Sequence, residues 1–178
     1  MRRRSEADFT EFAAAALRRL RRTAYLMCGD WHRAEDAAQD ALVRVYRAWD
    51  RLDHHAGLNT YAHRAVVSVV LDQAKRPWRR EFLDDEVPDQ PLPDPARTVD
   101  DRLLVIEALA RLAPRQRACV VLRHYADLSI EETAQVLGIG TGAVKSQTSR
   151  GLAALREQLH RPGTGTAAPA DHKKEVLL

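Results

Sequence analysis

The hydrophobic positions of this chain recur at helical spacing, and no stretch alternates as a strand would. The cleanest stripe is Ala34, Ala37, Ala38, Ala41, Leu42, Val45, Tyr46 and Trp49, which places one apolar face along a helix. The opposite face holds Glu35, Asp36, Gln39, Asp40, Arg44 and Arg47. Before it, Phe9, Phe12, Ala13, Ala16, Leu17, Leu20, Ala24 and Leu26 mark an opening helix that Gly29 and Asp30 interrupt. After it, Asp53 to Asn59 reads as a polar loop turning at Gly57. A third helix then runs from about Thr60 to Arg76, with Ala62, Ala65, Val66, Val69, Val70 and Gln73 spaced for burial. The pattern predicts an all-α protein.

The pattern resumes near Val99. Leu103, Val105, Ile106, Leu109 and Leu112 lie on a helix that stops before Pro114, and Pro114 can open the next helix at its first position. That helix turns Ala118, Val121, Leu122 and Tyr125 inward. Ser129, three residues before Glu132, has capping-box spacing. Ile130, Thr133, Ala134 and Leu137 then share a stripe, and Gly138 ends the helix through a left-handed residue. Thr141 is placed to cap a further helix with Val144, Thr148, Leu152 and Leu155 inward. Its outer face shows Lys145, Ser146, Ser149 and Arg150, donors suited to phosphates and base edges. The two short helices and their turn read as a helix-turn-helix.

Composition shifts divide the chain into a helical domain over 5–80, a linker over 81–98, a second helical domain over 99–160 and a tail over 161–178. The linker carries Pro88, Pro91, Pro93 and Pro95 among acids, and the low-complexity tail is expected to be disordered. The net charge of +3 hides strong segregation. Arg2, Arg3, Arg4, Arg18, Arg19, Arg21 and Arg22 load the first helix and its lead-in, and Arg64, Lys75, Arg76, Arg79 and Arg80 load the stretch up to residue 80. Between Glu81 and Asp101 the balance is −7, eight acids against Arg97. Basic clusters of this kind are a footprint of polyanion binding, and Trp78 beside those near residue 80 can stack an unpaired base.

Other chemistries find little support. Cys28 and Cys119 belong to no Cys/His cluster, so structural zinc is not expected and reduced buried thiols are. His54 and His55 have no third ligand in place. The one Glu-x-x-His pair, Glu157 and His160, stands at a helix end without a second such pair, which argues against a carboxylate-bridged metal enzyme. Charges interrupt every apolar run before the ~20 residues of a membrane span, so membrane insertion is not expected and a cytoplasmic location is.

Four ordered segments carry a family resemblance: residues 34–49 (AEDAAQDALVRVYRAW), 61–80 (YAHRAVVSVVLDQAKRPWRR), 112–118 (LAPRQRA) continued by 120–125 (VVLRHY), and 142–156 (GAVKSQTSRGLAALR). Together they resemble the sigma-70 family of transcription initiation factors. The length and two-domain plan look most like its extracytoplasmic-function (ECF) subgroup, in particular an actinobacterial SigE-like branch. The resemblance implies sigma domain 2 over 5–80 and sigma domain 4 over 99–160, joined by the acidic Pro-rich linker. It implies a dissociable, non-enzymatic factor without a cofactor. Such a factor binds core RNA polymerase through the β′ and β subunits, directs it to −10 and −35 promoter elements and aids strand opening.

By resemblance, Glu35, Asp36, Gln39 and Asp40 form the face that docks on a coiled coil of β′. His54, His55 and Asn59 lie in a loop that accepts a base flipped from the −10 element. Arg64, Ser68, Asp72, Lys75, Arg76, Arg79 and Arg80 lie on the helix that reads and melts that element, with Ser68 where the family often has Asn. Thr141, Lys145, Ser146, Ser149 and Arg150 face the −35 element, Lys145 toward phosphate and Arg150 toward phosphate or a guanine edge. The acidic linker either mimics nucleic-acid charge in a polymerase channel or serves as a solubilising spacer. The resemblance leaves room for a restraining anti-sigma factor, and the free chain is expected to be monomeric. A conventional helix-turn-helix regulator would explain 128–155 but not the basic, aromatic stretch from Lys75 to Arg80.

Overall fold

A computed structural model describes residues 6–52, 56–75 and 99–160. Seven helices appear among them, with no strand: α1 (Glu6–Cys28), α2 (Trp31–Ala48), α3 (Ala56–Lys75), α4 (Val99–Ala110), α5 (Pro114–His124), α6 (Ile130–Leu137) and α7 (Thr141–Leu159). A 3₁₀ turn, Trp49–Arg51, follows α2. The linker, the tail, His54, His55, Arg76, Trp78, Arg79 and Arg80 lie outside the described residues, as do the side chains of Gln73 and Lys75.

The α1–α2 corner is built from local chemistry. Gly29 takes φ +74°, which an L side chain resists, and its N–H donates to the Tyr25 carbonyl at 2.7 Å. Asp30 then caps α2 by accepting from the Arg33 N–H at 2.9 Å. Tyr25 stacks on Trp31, with centroids 3.9 Å apart, and the Arg21 guanidinium lies over the Trp31 ring at 5.5 Å. Along α2, Ala34, Ala37, Ala38 and Ala41 are fully buried. Their small side chains let α1 and α3 pack closely on this helix. Trp49 closes the end of the bundle against Phe9 and Phe12. Tyr46, expected inward, is 52% exposed and meets Phe9 edge-on, with ring centroids 4.8 Å apart. The inward stripe ends instead on Val45, Ala48 and Trp49, because Tyr46 lies off its axis.

Helix α3 begins at Ala56, so Gly57 and Asn59 stand in its first turn and not in a loop. Burial of Leu58 anchors that turn, outweighing the helix penalty of one glycine, about 1 kcal/mol. The helix is buried on two sides. Leu58, Ala62, Ala65, Val66 and Val69 are spaced to face α1 and α2, while Thr60, His63 and Val67 form a second buried stripe. Helix α6 of the second half covers that stripe, and Glu132 of α6 lies within electrostatic range of His63. Two buried stripes blur the amphipathic signal, which is why the second was not legible.

In the second half, Pro114 opens α5 and both hydrogen bonds of the Ser129/Glu132 capping box form, at 2.7 and 3.0 Å. Gly138 takes the left-handed conformation at φ +63°. The cap of α7 is Gly140, with Thr141 as the first helical residue, exposed and making no cap hydrogen bond. The short Gly138–Gly140 turn delivers the chain one residue earlier than a Thr141 cap requires. Leu103, expected inward, is 45% exposed. The two halves share one buried cluster. Arg117 of α5 donates to the Met27 carbonyl at the end of α1, at 2.7 Å, and also to the Ala110 and Leu112 carbonyls. Cys28 and Cys119 are free thiols, and burial pushes that of Cys119 up to about 11.

His63 is wholly buried, its Nδ1 lies 2.9 Å from the Asn59 carbonyl and its Nε2 has no partner. Burial lowers its pKa below the ordinary 6.5, the Arg19 charge adds to that, and the Asn59 bond and Glu132 oppose it. The packed form therefore binds fewer protons than the unfolded chain. The stabilisation is complete above pH 6.5 and declines as pH falls through 6.5 toward the lowered value. Denaturant titrations at a series of pH values should show midpoints that drop on acidification below about 6.5. His63→Gln, which keeps a donor for the Asn59 carbonyl, should flatten that slope above the carboxylate range.

Candidate functional site

Three exposed surfaces hold the described candidate residues. On α7, Lys145, Ser146, Ser149 and Arg150 project outward together with Thr141, while Val144 is fully buried beneath them. Ser146 Oγ donates back to the Ala143 carbonyl at 3.1 Å, so its hydroxyl is partly engaged. Lys145, Ser149 and Arg150 are left as the face about one to two and a half turns from the start of the helix. Gly151, which the sequence reading passed over, sets the height of this face. A Cβ there would lie 2.7 Å from Val120 Cγ2, so only glycine lets α7 seat so closely on α5.

On α2, Asp36, Gln39 and Asp40 are exposed. Glu35 differs: it is half-buried and pairs with Arg21 at 2.9 Å, while Gln39 Nε2 donates to its other oxygen at 3.4 Å. Its carboxylate is committed within the fold, which leaves Asp36 and Asp40 as the outward acids, with the neutral amide of Gln39 between them. Val43, one turn on, is 48% exposed and extends this face with an apolar surface. A valine off the inward stripe was the available signal for it.

On α3, Arg64, Ser68 and Asp72 follow one another at four-residue spacing on the side left open by α1, α2 and α6. Arg64 and Asp72 are exposed, and half-buried Ser68 donates to Asp72 Oδ2 at 3.5 Å. Asn59 is half-buried in the first turn, its carbonyl engaged with His63. Among the described residues there is no cluster of three metal-ligating side chains, and no helix is long and apolar enough to cross a membrane.

Two family models match the chain in order: sigma-70 region 2 over residues 12–80 and sigma-70 region 4 over 102–155. The RNA polymerase sigma-E factor of Streptomyces coelicolor is 34% identical over 85% of this chain and 86% of its own length. That of Streptomyces avermitilis is 38% identical over 85% of each. Among solved structures, the sigma factor RpoE of Bartonella quintana, in complex with the anti-sigma factor NepR, superposes with a TM-score of 0.70. It is 23% identical and covers 88% of this chain and 99% of that one, a likeness of fold. The chain belongs to the sigma-70 family of transcription initiation factors, within its ECF subgroup. It is similar in particular to the Streptomyces sigma-E factors and, like its family, is a non-enzymatic factor.

Gly151→Ala should tilt or lift α7 on α5, since the new methyl must displace Val120. The expected cost is about 1–3 kcal/mol of stability, as for overpacking elsewhere. Val120→Ala in the same chain should recover part of it, measured by thermal unfolding of the single and double variants.

Proposed function

We propose that this chain binds core RNA polymerase through the outward face of α2, reads the −35 element with α7 and reads and melts the −10 element with α3 and the basic residues beyond it. The observation that carries this reading is the opposition of two exposed faces on one chain. Asp36, Gln39 and Asp40 project from α2, and Lys145, Ser149 and Arg150 from α7. An acidic face suits a protein partner, where charge steers association and fixes register, and it repels DNA. A basic face along the first half of the second helix of a helix-turn-helix suits a DNA groove.

Within this reading β′ contacts α2, β contacts the second half, and a cytoplasmic monomer is the free form. Val43 adds apolar contact at the C-terminal end of the α2 face. Ser68 reaches less far than an amide and is tied to Asp72, so Arg64 is the stronger contact to the −10 strand among the described residues. An anti-sigma factor is a further partner by analogy with the neighbouring RpoE–NepR complex. The acidic stretch from Glu81 to Asp101 is suited to a polymerase channel that also takes nucleic acid.

Replacing Asp36 and Asp40 together by Arg should abolish competition for core polymerase while far-UV circular dichroism stays unchanged, because both side chains are exposed. Retained competition by a folded double variant would defeat the docking assignment. On the DNA side, Arg150→Ala should cost about 1–3 kcal/mol and relax preference at one −35 position if it reads a base edge. Lys145→Ala should weaken binding evenly across sequences and lower the salt slope by about one unit. Selection from randomised promoters with reconstituted holoenzyme measures both.

A further inference from the structure

The basic face of α7 does not end at Arg150. At about 100° per residue, Lys145 and Arg156 point within about 20° of each other around the helix axis. Ser149 stands between them on the same edge, and all three are exposed. Arg150 lies about 140° round the axis from Lys145, on the other edge of the face. At about 1.5 Å per residue, Lys145 and Arg156 are about 16 Å apart along the helix.

The fold holds the place of Arg156 without using its charge. The Arg156 carbonyl accepts from the His160 N–H at 3.0 Å. Its guanidinium has no hydrogen bond or ion pair among the described residues. The neighbouring acid, Glu157, points about 100° away. Leu152 and Leu155 are half-buried against the core on either side of Arg156's edge, so α7 is still seated at this level. A cation in the last turn also complements the helix dipole, but that role does not call for alignment with Lys145.

The dimensions of DNA give the alignment a use. A major groove about 12 Å wide takes one helix about 10–12 Å in diameter with its side chains. Residues on the two edges of such a helix meet the phosphate walls, and those between meet the bases. Gly142, Ser146 and Ala153 occupy the middle of the exposed face, and none is long enough to hold the helix off the groove floor. Phosphates of one strand follow at about 3.4 Å along the duplex axis. Two cations about 16 Å apart on one edge therefore meet different phosphates of the same wall. An arginine fork can take its phosphate oxygens two at a time.

We propose that Arg156 is a second phosphate anchor of α7, holding the same DNA strand as Lys145 further along the helix. Helix α7 then lies lengthwise in the groove and does not enter it by its first turns alone. This rests on the −35 reading of α7 given above.

The experiment uses holoenzyme reconstituted with the full chain, on a promoter recovered by selection from randomised sequences. Arg156→Ala should lower the salt slope by about one unit. Raising salt from about 50 to 200 mM should then weaken it about three- to fourfold less than the wild type. Arg156→Gln, which keeps the side-chain stem, should do the same. Combining Arg156→Ala with Lys145→Ala should lower the slope by about two units and leave base preferences unchanged. Ethylation of single phosphates should lose one interference site with Arg156→Ala and another, on the same strand, with Lys145→Ala. Arg111→Ala, which removes an exposed arginine between α4 and α5, controls for the general field of the chain. An unchanged slope and interference pattern for both Arg156 variants would overturn the anchor, as would an equal change with Arg111→Ala. Interference sites on opposite strands would overturn it too. So would lost thermal stability at an unchanged slope, the mark of a cation that serves only the helix end. A wild-type holoenzyme without interference at any −35 phosphate would instead count against the function proposed above.

Discussion

Everything else in this structure is arranged around the double burial of α3. A helix packed on one side offers a broad outward face, whereas α3 is covered by α1 and α2 on one flank and by α6 on another. Beyond its first turn, the exposed positions among its described side chains are Arg64 and Asp72, with half-buried Ser68 between them. In this packing those side chains lie on the flank that neither neighbour covers. Thr60 and His63 make the second flank more polar than the first, and both are buried there.

The same economy governs α2. Four fully buried alanines bring its backbone close to α1 and α3, and close packing of short side chains gives contact without side-chain entropy to lose. Rigidity then comes from the ends of the helix. Asp30 caps one, and Trp49 with Phe9 and Phe12 fills the other. Of the outward residues, Glu35 ties α2 to α1 through its pair with Arg21, and Gln39 hydrogen-bonds Glu35. Asp36, Asp40 and Val43 are exposed on this face.

Much of the fold was legible because the local signals agreed with one another. Asp30, Pro114, Ser129 with Glu132, and Gly138 each specify a helix end through a hydrogen bond or a backbone conformation that a sequence displays directly. What was not legible depended on distant partners. The second stripe of α3 has meaning only once α6 lies against it, and Gly151 only once Val120 lies beneath it. Leu58 buries the first turn of α3 although Gly57 signals a loop. Of the candidate surface residues, Glu35 was read as outward because its neighbours are. Its partner Arg21 stands on another helix, and no periodicity within α2 reveals it.

Charge segregation completes the physical picture. A net charge of +3 over 178 residues suggests neither a nucleic-acid binder nor an acidic docking protein. Yet at the ~8 Å screening length of physiological salt, a surface is felt by its own neighbourhood and not by the sum over the chain. Asp36 and Asp40 on α2, and Lys145 and Arg150 on α7, stand on different helices of different halves. Each face can therefore attract its own partner with little interference from the other. Near-neutral totals are the natural outcome when one chain must bind an acidic polymer with one surface and a protein with another.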